Sequence, residues 1–306
     1  YLSSNGWPNK VVSEAERSSL EIVKKLGNPK SKSPFFRRGL VVGSVQSGKT
    51  ANFNGVINSA LDTGYELIIV LSGLMEDLRK QTQLRIENDV IGNWKGGEKY
   101  KGVGNICAFS GFLEAEDCKI SQIESITSVE TDFNTGLLGA GITLAGKKIL
   151  VCKKNVSVLG NLLVSLKEYV DETHPKIDIP LLIVDDESDN ASLNNLGYND
   201  DFDPTKTNLL IRSILNLFSR KTYLGYTATP FANIFISPET NDDMVGEDLF
   251  PKDYIKLLDP PSNYVGPDKV FGEGSELERI MVRNPTDYED ILPVKHKNHA
   301  DIEILP

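Results

Sequence analysis

Cysteine and histidine are scarce in this chain, and long apolar runs are missing. Its 306 residues include three cysteines, Cys107, Cys118 and Cys152. An odd number without paired spacing fits neither a disulfide framework nor a zinc pattern, so the expected compartment is a reducing cytoplasm. Apolar stretches such as Leu67 to Leu71 span only a handful of residues. A bilayer-crossing helix needs ~20, so no membrane partner is expected, and no secretory signal pattern occurs. Of the three histidines, His174 precedes Pro175 as a turn residue; His296 and His299, with Asp301, could bind a metal, but Lys295 and Lys297 alongside favour a solvated tail.

Positive charge is also in deficit. Lys and Arg number 33 against 43 Asp and Glu, a net charge of −10. A protein that coats DNA usually carries a basic face, so this balance argues against simple coating. It leaves open a motor that grips a strand in a cleft between domains. At 40% hydrophobic and 25% charged, the composition is that of an ordinary globular chain. Neither an internal repeat nor a low-complexity segment is found. A first residue Tyr1 in place of Met reads as a fragment or a processed chain.

What recurs is a short apolar run followed by a helical stretch. Strands are expected at Gly39–Val42, Glu66–Leu71, Asn105–Phe109, Ile149–Cys152, Leu181–Val184 and Thr222–Leu224. Their near-continuous apolar character indicates parallel strands covered on both faces. Helices are expected at Ser13–Leu26, Ala51–Asp62, Glu76–Asn88 and Val156–Thr173. Alternation of the two implies right-handed crossovers in a three-layer α/β fold with a mostly parallel sheet. Residues 1–37 read as a helical extension and linker, 38–236 as the α/β domain with an insertion near 111–146. Residues 237–306, broken by prolines from Pro238 to Pro293, read as an irregular segment of loops and short strands beginning a further domain.

Two motifs carry chemistry. Gly43-Ser44-Val45-Gln46-Ser47-Gly48-Lys49-Thr50 fits G-x-x-x-x-G-K-[ST] between a strand and a helix. Backbone N–H groups of such a loop close around phosphate oxygens at a helix N-terminus. Gly43, Ser44, Gln46, Ser47, Gly48, Lys49 and Thr50 are therefore the candidate nucleotide-binding residues, with Lys49 on the phosphates and Thr50 on Mg²⁺. The second motif is the apolar run Leu181-Leu182-Ile183-Val184 ending in Asp185-Asp186-Glu187-Ser188-Asp189. Acid residues at a strand end hold Mg²⁺ and orient the attacking water in phosphate-loop ATPases. Two registers are open. Read as D-E-x-D, Asp186 is the metal partner and Glu187 the base; alternatively Asp185 is the metal partner.

About 40 residues later comes Gly225-Tyr226-Thr227-Ala228-Thr229-Pro230. Phosphate loop, acid motif and Thr-Ala-Thr in this order resemble the first RecA-like domain of superfamily-two helicases and translocases, over residues 38–236. That resemblance implies ATP and Mg²⁺ as cofactors, catalytic roles for Lys49, Asp186 and Glu187, and DNA as partner. It also implies that Thr227 and Thr229 couple the nucleotide site to strand binding. A narrower resemblance, extending to about Gly272, is to the Z-one domain proteins. It rests on Gly43 to Phe53, the Asp-Asp-Glu-Ser-Asp run, Gly225 to Asn233, Asp248-Leu249-Phe250-Pro251, and Pro260 to Gly266. Those proteins are grouped as endonucleases of bacterial restriction and phage-defence loci, which implies defence subunits as further partners.

The chain departs from the superfamily-two pattern in lacking a second RecA-like motif set and an adenine-reading glutamine motif; Trp7, Pro8 and Asn9 are the candidates nearby. No nuclease centre is found, since Pro267-Asp268 has no following D/E-x-K and Asp117-Cys118-Lys119 no upstream partner. Arg79, Lys80, Lys153 and Lys154 follow strands, and loops at carboxyl strand ends form the ligand edge of a parallel sheet. They are candidates for contact with a phosphate backbone. Without an Asn-Lys-x-Asp element, a GTPase is disfavoured. Two classes remain, a DNA-dependent ATPase motor and a nucleotide-gated regulatory or scaffolding module.

Overall fold

The computed structural model of the chain describes residues 2–44, 48–91, 94–95, 98–99, 123–134, 144–189, 204–234, 241–242, 246–259, 265–272, 274–275, 277 and 280. The elements run α1 (Asn9–Val23), β1 (Phe35–Val42), α2 (Lys49–Thr63), β2 (Leu67–Ser72) and α3 (Glu76–Ile86), which a π turn, Glu87–Ile91, continues. Short strands β3 (Trp94–Lys95), β4 (Glu98–Lys99) and β5 (Glu124–Ser125) precede β6 (Lys148–Lys153), α4 (Val156–Lys167) and β7 (Leu181–Asp186). Then come α5 (Pro204–Asn216), β8 (Arg220–Thr227), the single turn α6 (Phe231–Ile234), β9 (Asn241–Asp242), β10 (Gly246–Glu247) and β11 (Tyr254–Leu257). These belong to a compact unit of residues 1–261; α7 (Pro267–Phe271) belongs to a second unit, residues 262–306.

Among the described residues, seven strands form one sheet in the order β11-β1-β8-β7-β2-β6-β5. Every pairing within it is parallel. The central strands β2 and β7 are buried along almost their whole length, as two-sided coverage requires. Their period of two sends alternate side chains to opposite faces. On one face Leu67, Ile69, Ile183 and Tyr223 pack with Leu159, Leu162 and Leu166 of α4 and Ile211, Ile214 and Leu215 of α5. On the other, Ile68, Val70, Leu182, Val184 and Tyr226 pack with Ile22 of α1, Phe53, Val56 and Ile57 of α2, and Ile86. The result is the expected three-layer α/β fold.

Several boundaries differ from expectation, for physical reasons. Helix α4 stops at Lys167 rather than Thr173; its start is fixed by Asn155, whose Oδ1 accepts from the N–H of Ser157 at 2.8 Å and of Val158 at 3.2 Å. Helix α5 was not foreseen, although Pro204 at its first position is a recognised start signal. Segment 237–306, expected as loops and short strands, contributes β11, which pairs with β1 from Gly39↔Tyr254 to Val42↔Leu257 and so joins the main sheet. Within the insertion, Glu124–Ser125 adds the opposite edge strand to β6. The expected strand Asn105–Phe109 lies outside the described residues. Among the described residues no helix is long and apolar enough to cross a membrane.

Candidate functional site

Because the sheet is parallel, β1, β7 and β8 deliver their carboxyl ends to one edge, with β8 lying between the other two. The three motifs follow these ends. Strand β8 holds both neighbours through its backbone: Gly43 N–H donates to Thr227 O at 3.0 Å, and Ser188 N–H donates to Tyr226 O at 2.9 Å. Gly225 makes the approach possible, since a Cβ there would sit 2.7 Å from Ser188 Oγ.

In the glycine-rich loop, Gly43, Ser44 and Gly48 to Thr50 are described; Val45, Gln46 and Ser47 lie outside the described residues. Gly48 precedes α2 with φ of 87°, in the left-handed region. A side chain there would be strained by about 1–2 kcal/mol, which accounts for glycine at this fixed position. Lys49 Nζ donates to Gly43 O at 3.2 Å and Ser44 O at 3.1 Å, folding the ammonium over the loop. The Thr50 hydroxyl accepts from Arg85 of α3, Nη1 to Oγ1 2.9 Å. Arg85 was not singled out in the sequence. Nothing in the spacing from Thr50 to Arg85 signals the contact, which depends on α3 reaching α2.

Alternation along β7 separates the two acid registers. Asp185 faces the layer of α4 and α5, fully buried; its Oδ2 accepts from Tyr223 OH at 2.6 Å and its Oδ1 lies 2.9 Å from Lys154 Nζ. Both carboxylate oxygens are thus engaged internally, and Asp185 as metal partner is corrected. Asp186 is on the α2 face, half-buried, where Lys49 acts on its charge. Glu187 is exposed and takes φ of 56°, the positive value that side chains rarely adopt. Gly73 leaves room for its carboxylate: a Cβ there would lie 3.2 Å from Glu187 Oε2. Asp189 closes the turn against β8, accepting from Thr227 Oγ1 at 2.7 Å and from Thr229 Oγ1.

The Asp186 carboxyl is pushed up to about 6, first by burial and then by the negative charges of Glu187 and Asp185, against the opposing pull of Lys154 and Lys49. Surplus negative charge at a strand end is an environment that can receive a cation. Among the described residues no cluster of three or more His, Cys, Asp or Glu side chains could hold a metal unaided.

The raised value has a stability consequence. In the unfolded chain the carboxyl ionises near its ordinary value of 3.8, and in the fold near 6. The fold therefore prefers the protonated form, and stability from this group is lost as pH rises from about 3.8 through about 6. Asp186→Asn is expected to stabilise the nucleotide-free protein at pH 7.5 by about 1–3 kcal/mol, because each tenfold change in an ionisation constant is worth roughly 1.4 kcal/mol. The gain should vanish near pH 4. Urea denaturation at the two pH values checks this; equal stability of variant and parent at pH 7.5 would remove the charge strain assigned to Asp186.

Two of the four basic candidates, Arg79 and Lys154, need correction. Arg79 is fully buried, with Nη1 on Ser128 O and Nη2 on Val129 O, each at 2.9 Å, and Nε on Glu76 Oε1, also at 2.9 Å. Lys154 is equally buried. Neither can reach a phosphate backbone, because their charges are spent inside the fold. Lys153 pairs with Glu76 at 2.8 Å, and Lys80 is half-buried on α3. Asp117, Lys119, His296 and His299 lie outside the described residues. Comparison with protein-family models and with curated proteins finds no match.

Proposed function

We propose that the chain is the ATP-binding and ATP-hydrolysing domain of a superfamily-two-like motor, acting on DNA within a bacterial restriction or phage-defence system. The observation that carries this reading is the meeting of three motifs, far apart in sequence, at the adjacent ends of β1, β8 and β7. Lys49, the Thr50 hydroxyl and Asp186 would hold nucleotide phosphates and Mg²⁺. Bound Mg²⁺ would neutralise phosphate charge as it develops. Glu187 follows Asp186 at the strand end, exposed, where a general base can meet water. The hydroxyls of Thr227 and Thr229 share the Asp189 carboxylate, which ties the acid turn to the segment expected to respond to the strand.

The buried state of Arg79 and Lys154 narrows how DNA would be held. Strand contact would come chiefly from a cleft shared with a further domain, consistent with the net charge of −10. The rival reading, a nucleotide-gated scaffold, predicts ATP binding without stimulation by DNA. Steady-state ATP hydrolysis by the full-length protein with and without DNA separates the two.

Lys49→Ala tests the site itself. Lys49 is half-buried and its ammonium donates to loop carbonyls, so the variant should fold. Losing a charge-assisted bond to phosphate costs about 1.5–3 kcal/mol, a weakening of ATP affinity of roughly tenfold to more than a hundredfold. Calorimetric titration with ATP-Mg²⁺ measures it. Unchanged affinity would sink the phosphate-loop assignment.

A further inference from the structure

We propose that Lys154 is a positioning residue that holds the acid turn in shape, clamping the backbone on which Asp186 and Glu187 stand. Its ammonium has three donors. Nζ reaches Asp185 Oδ1 at 2.9 Å, Asp186 O at 2.8 Å and Glu187 O at 2.6 Å. The acceptors belong to three consecutive residues, so one cation fixes the path of the whole strand end.

Burial makes the choice of residue informative. Lys154 and Asp185 both have fully buried side chains. A buried ion pair is weak support for stability, because well-packed apolar residues of similar volume often do as well or better. Packing alone therefore does not call for an ammonium at this point. The carbonyl oxygens of Asp186 and Glu187, both part-buried where β7 ends, do, since an acceptor drawn away from water needs a donor. Glu187 supplies the second reason. Its φ of 56° is one that a glutamate holds only when its surroundings over-determine it, and the Lys154 bond to Glu187 O is part of that restraint.

The remaining residues of the turn are fixed from the other side. Tyr223 OH donates to Asp185 Oδ2 at 2.6 Å, and Asn233 Nδ2 donates to Ser188 O at 3.2 Å. Ser188 and Asp189 are tied to β8. Lys154, at the end of β6, is thus the restraint that reaches the turn from beyond β2, and it acts on the two residues that carry the proposed chemistry. The segment Lys153-Lys154-Asn155 divides accordingly: one ammonium pairs with Glu76, one enters the core, and the amide caps α4.

The effect on activity rests on the ATPase reading; the effect on the turn does not. The test uses Lys154→Met combined with Asp185→Asn in the full-length protein, so that no single charge is left buried. Three measurements apply: thermal unfolding, hydrogen exchange of the amides of residues 186–189, and nucleotide affinity together with kcat. The double variant should unfold cooperatively, exchange faster at 186–189 than the parent while α2 keeps its protection, and bind ATP with unchanged affinity. Loss of alignment at a catalytic group costs about 10²-fold, so kcat should fall by about that factor at constant KM. A role confined to stability would lower the unfolding temperature and leave kcat alone. Unchanged exchange at 186–189 in the folded variant, or unchanged kcat in protein that hydrolyses ATP, overturns the proposal. If the parent neither binds nor hydrolyses ATP, the ATPase reading falls and the exchange measurement decides the role of Lys154 alone.

Discussion

Glu187→Gln is expected to bind ATP normally and to hydrolyse it at least about a hundredfold more slowly, the loss typical of a positioned general base. The side chain is exposed, its carboxylate lies against Gly73, and its backbone is held with φ of 56°. Glutamine keeps the length and the neutral hydrogen-bonding capacity but cannot take a proton from water. The backbone bond from Lys154 to Glu187 O is unaffected by the change, so the turn should persist. Asp185 cannot substitute, since its oxygens face Lys154 and Tyr223 on the other side of the sheet. Asp189 is committed to Thr227 and Thr229. Single-turnover hydrolysis alongside equilibrium binding is the measurement. Normal turnover in Glu187→Gln would leave the base role without a residue in this turn.

The parts of the fold legible in the sequence are those in which local pattern and tertiary role coincide. Strands β2, β6 and β7 are buried on both faces, so their apolar runs announce them. Edge strands carry no such signature. Of the residues of β11, Tyr254 and Lys256 are half-buried while Ile255 and Leu257 are exposed, and Pro251 close by argues for a loop. The two-residue β5 is defined only by its partner β6. The fixed positions of the glycine-rich loop and acid turn could be found because the proposed chemistry prescribes their spacing. Their pairings could not. Lys153-Lys154-Asn155 reads as a solvated basic run after a strand, and the burial of Lys154 follows from Asp185, far along the chain, arriving on the neighbouring face. Arg79 misled in the same way: a cation at the ligand edge of a parallel sheet suggests phosphate contact, whereas it binds the carbonyls of Ser128 and Val129. Arg85 passed unnoticed because its partner Thr50 lies on another helix. Only the choice between Asp185 and Asp186 was within reach of pattern, since the alternation of β7 puts them on opposite faces.

The 306-residue chain by itself is expected to bind ATP-Mg²⁺ and to turn it over poorly. Charge on the transferring γ-phosphoryl group is commonly met by an arginine supplied in cis or across an interface, and such a residue is worth ~10³–10⁵ in rate. Most of the arginines in the fold have other duties. Arg37 pairs with Asp253, Arg38 donates to Asp248 O, Arg79 is in the core, Arg212 is buried in α5, and Arg220 binds Asp178 and Pro29 O. Arg85 is different: it is exposed and reaches the loop, but its guanidinium is on the hydroxyl of Thr50. A divalent cation taking that oxygen would repel it, so loading the site should drive Arg85 away from Thr50 rather than hold it there. Phosphate release by the purified chain, with and without DNA, is the measurement, compared with the full-length protein. Slow release by the chain and fast release by the full-length protein place the arginine in a further domain or subunit. Rapid multiple turnover by the monomeric chain would refute that, and Arg85→Ala would then be the decisive variant, because a cis role requires its turnover to collapse while ATP binding survives.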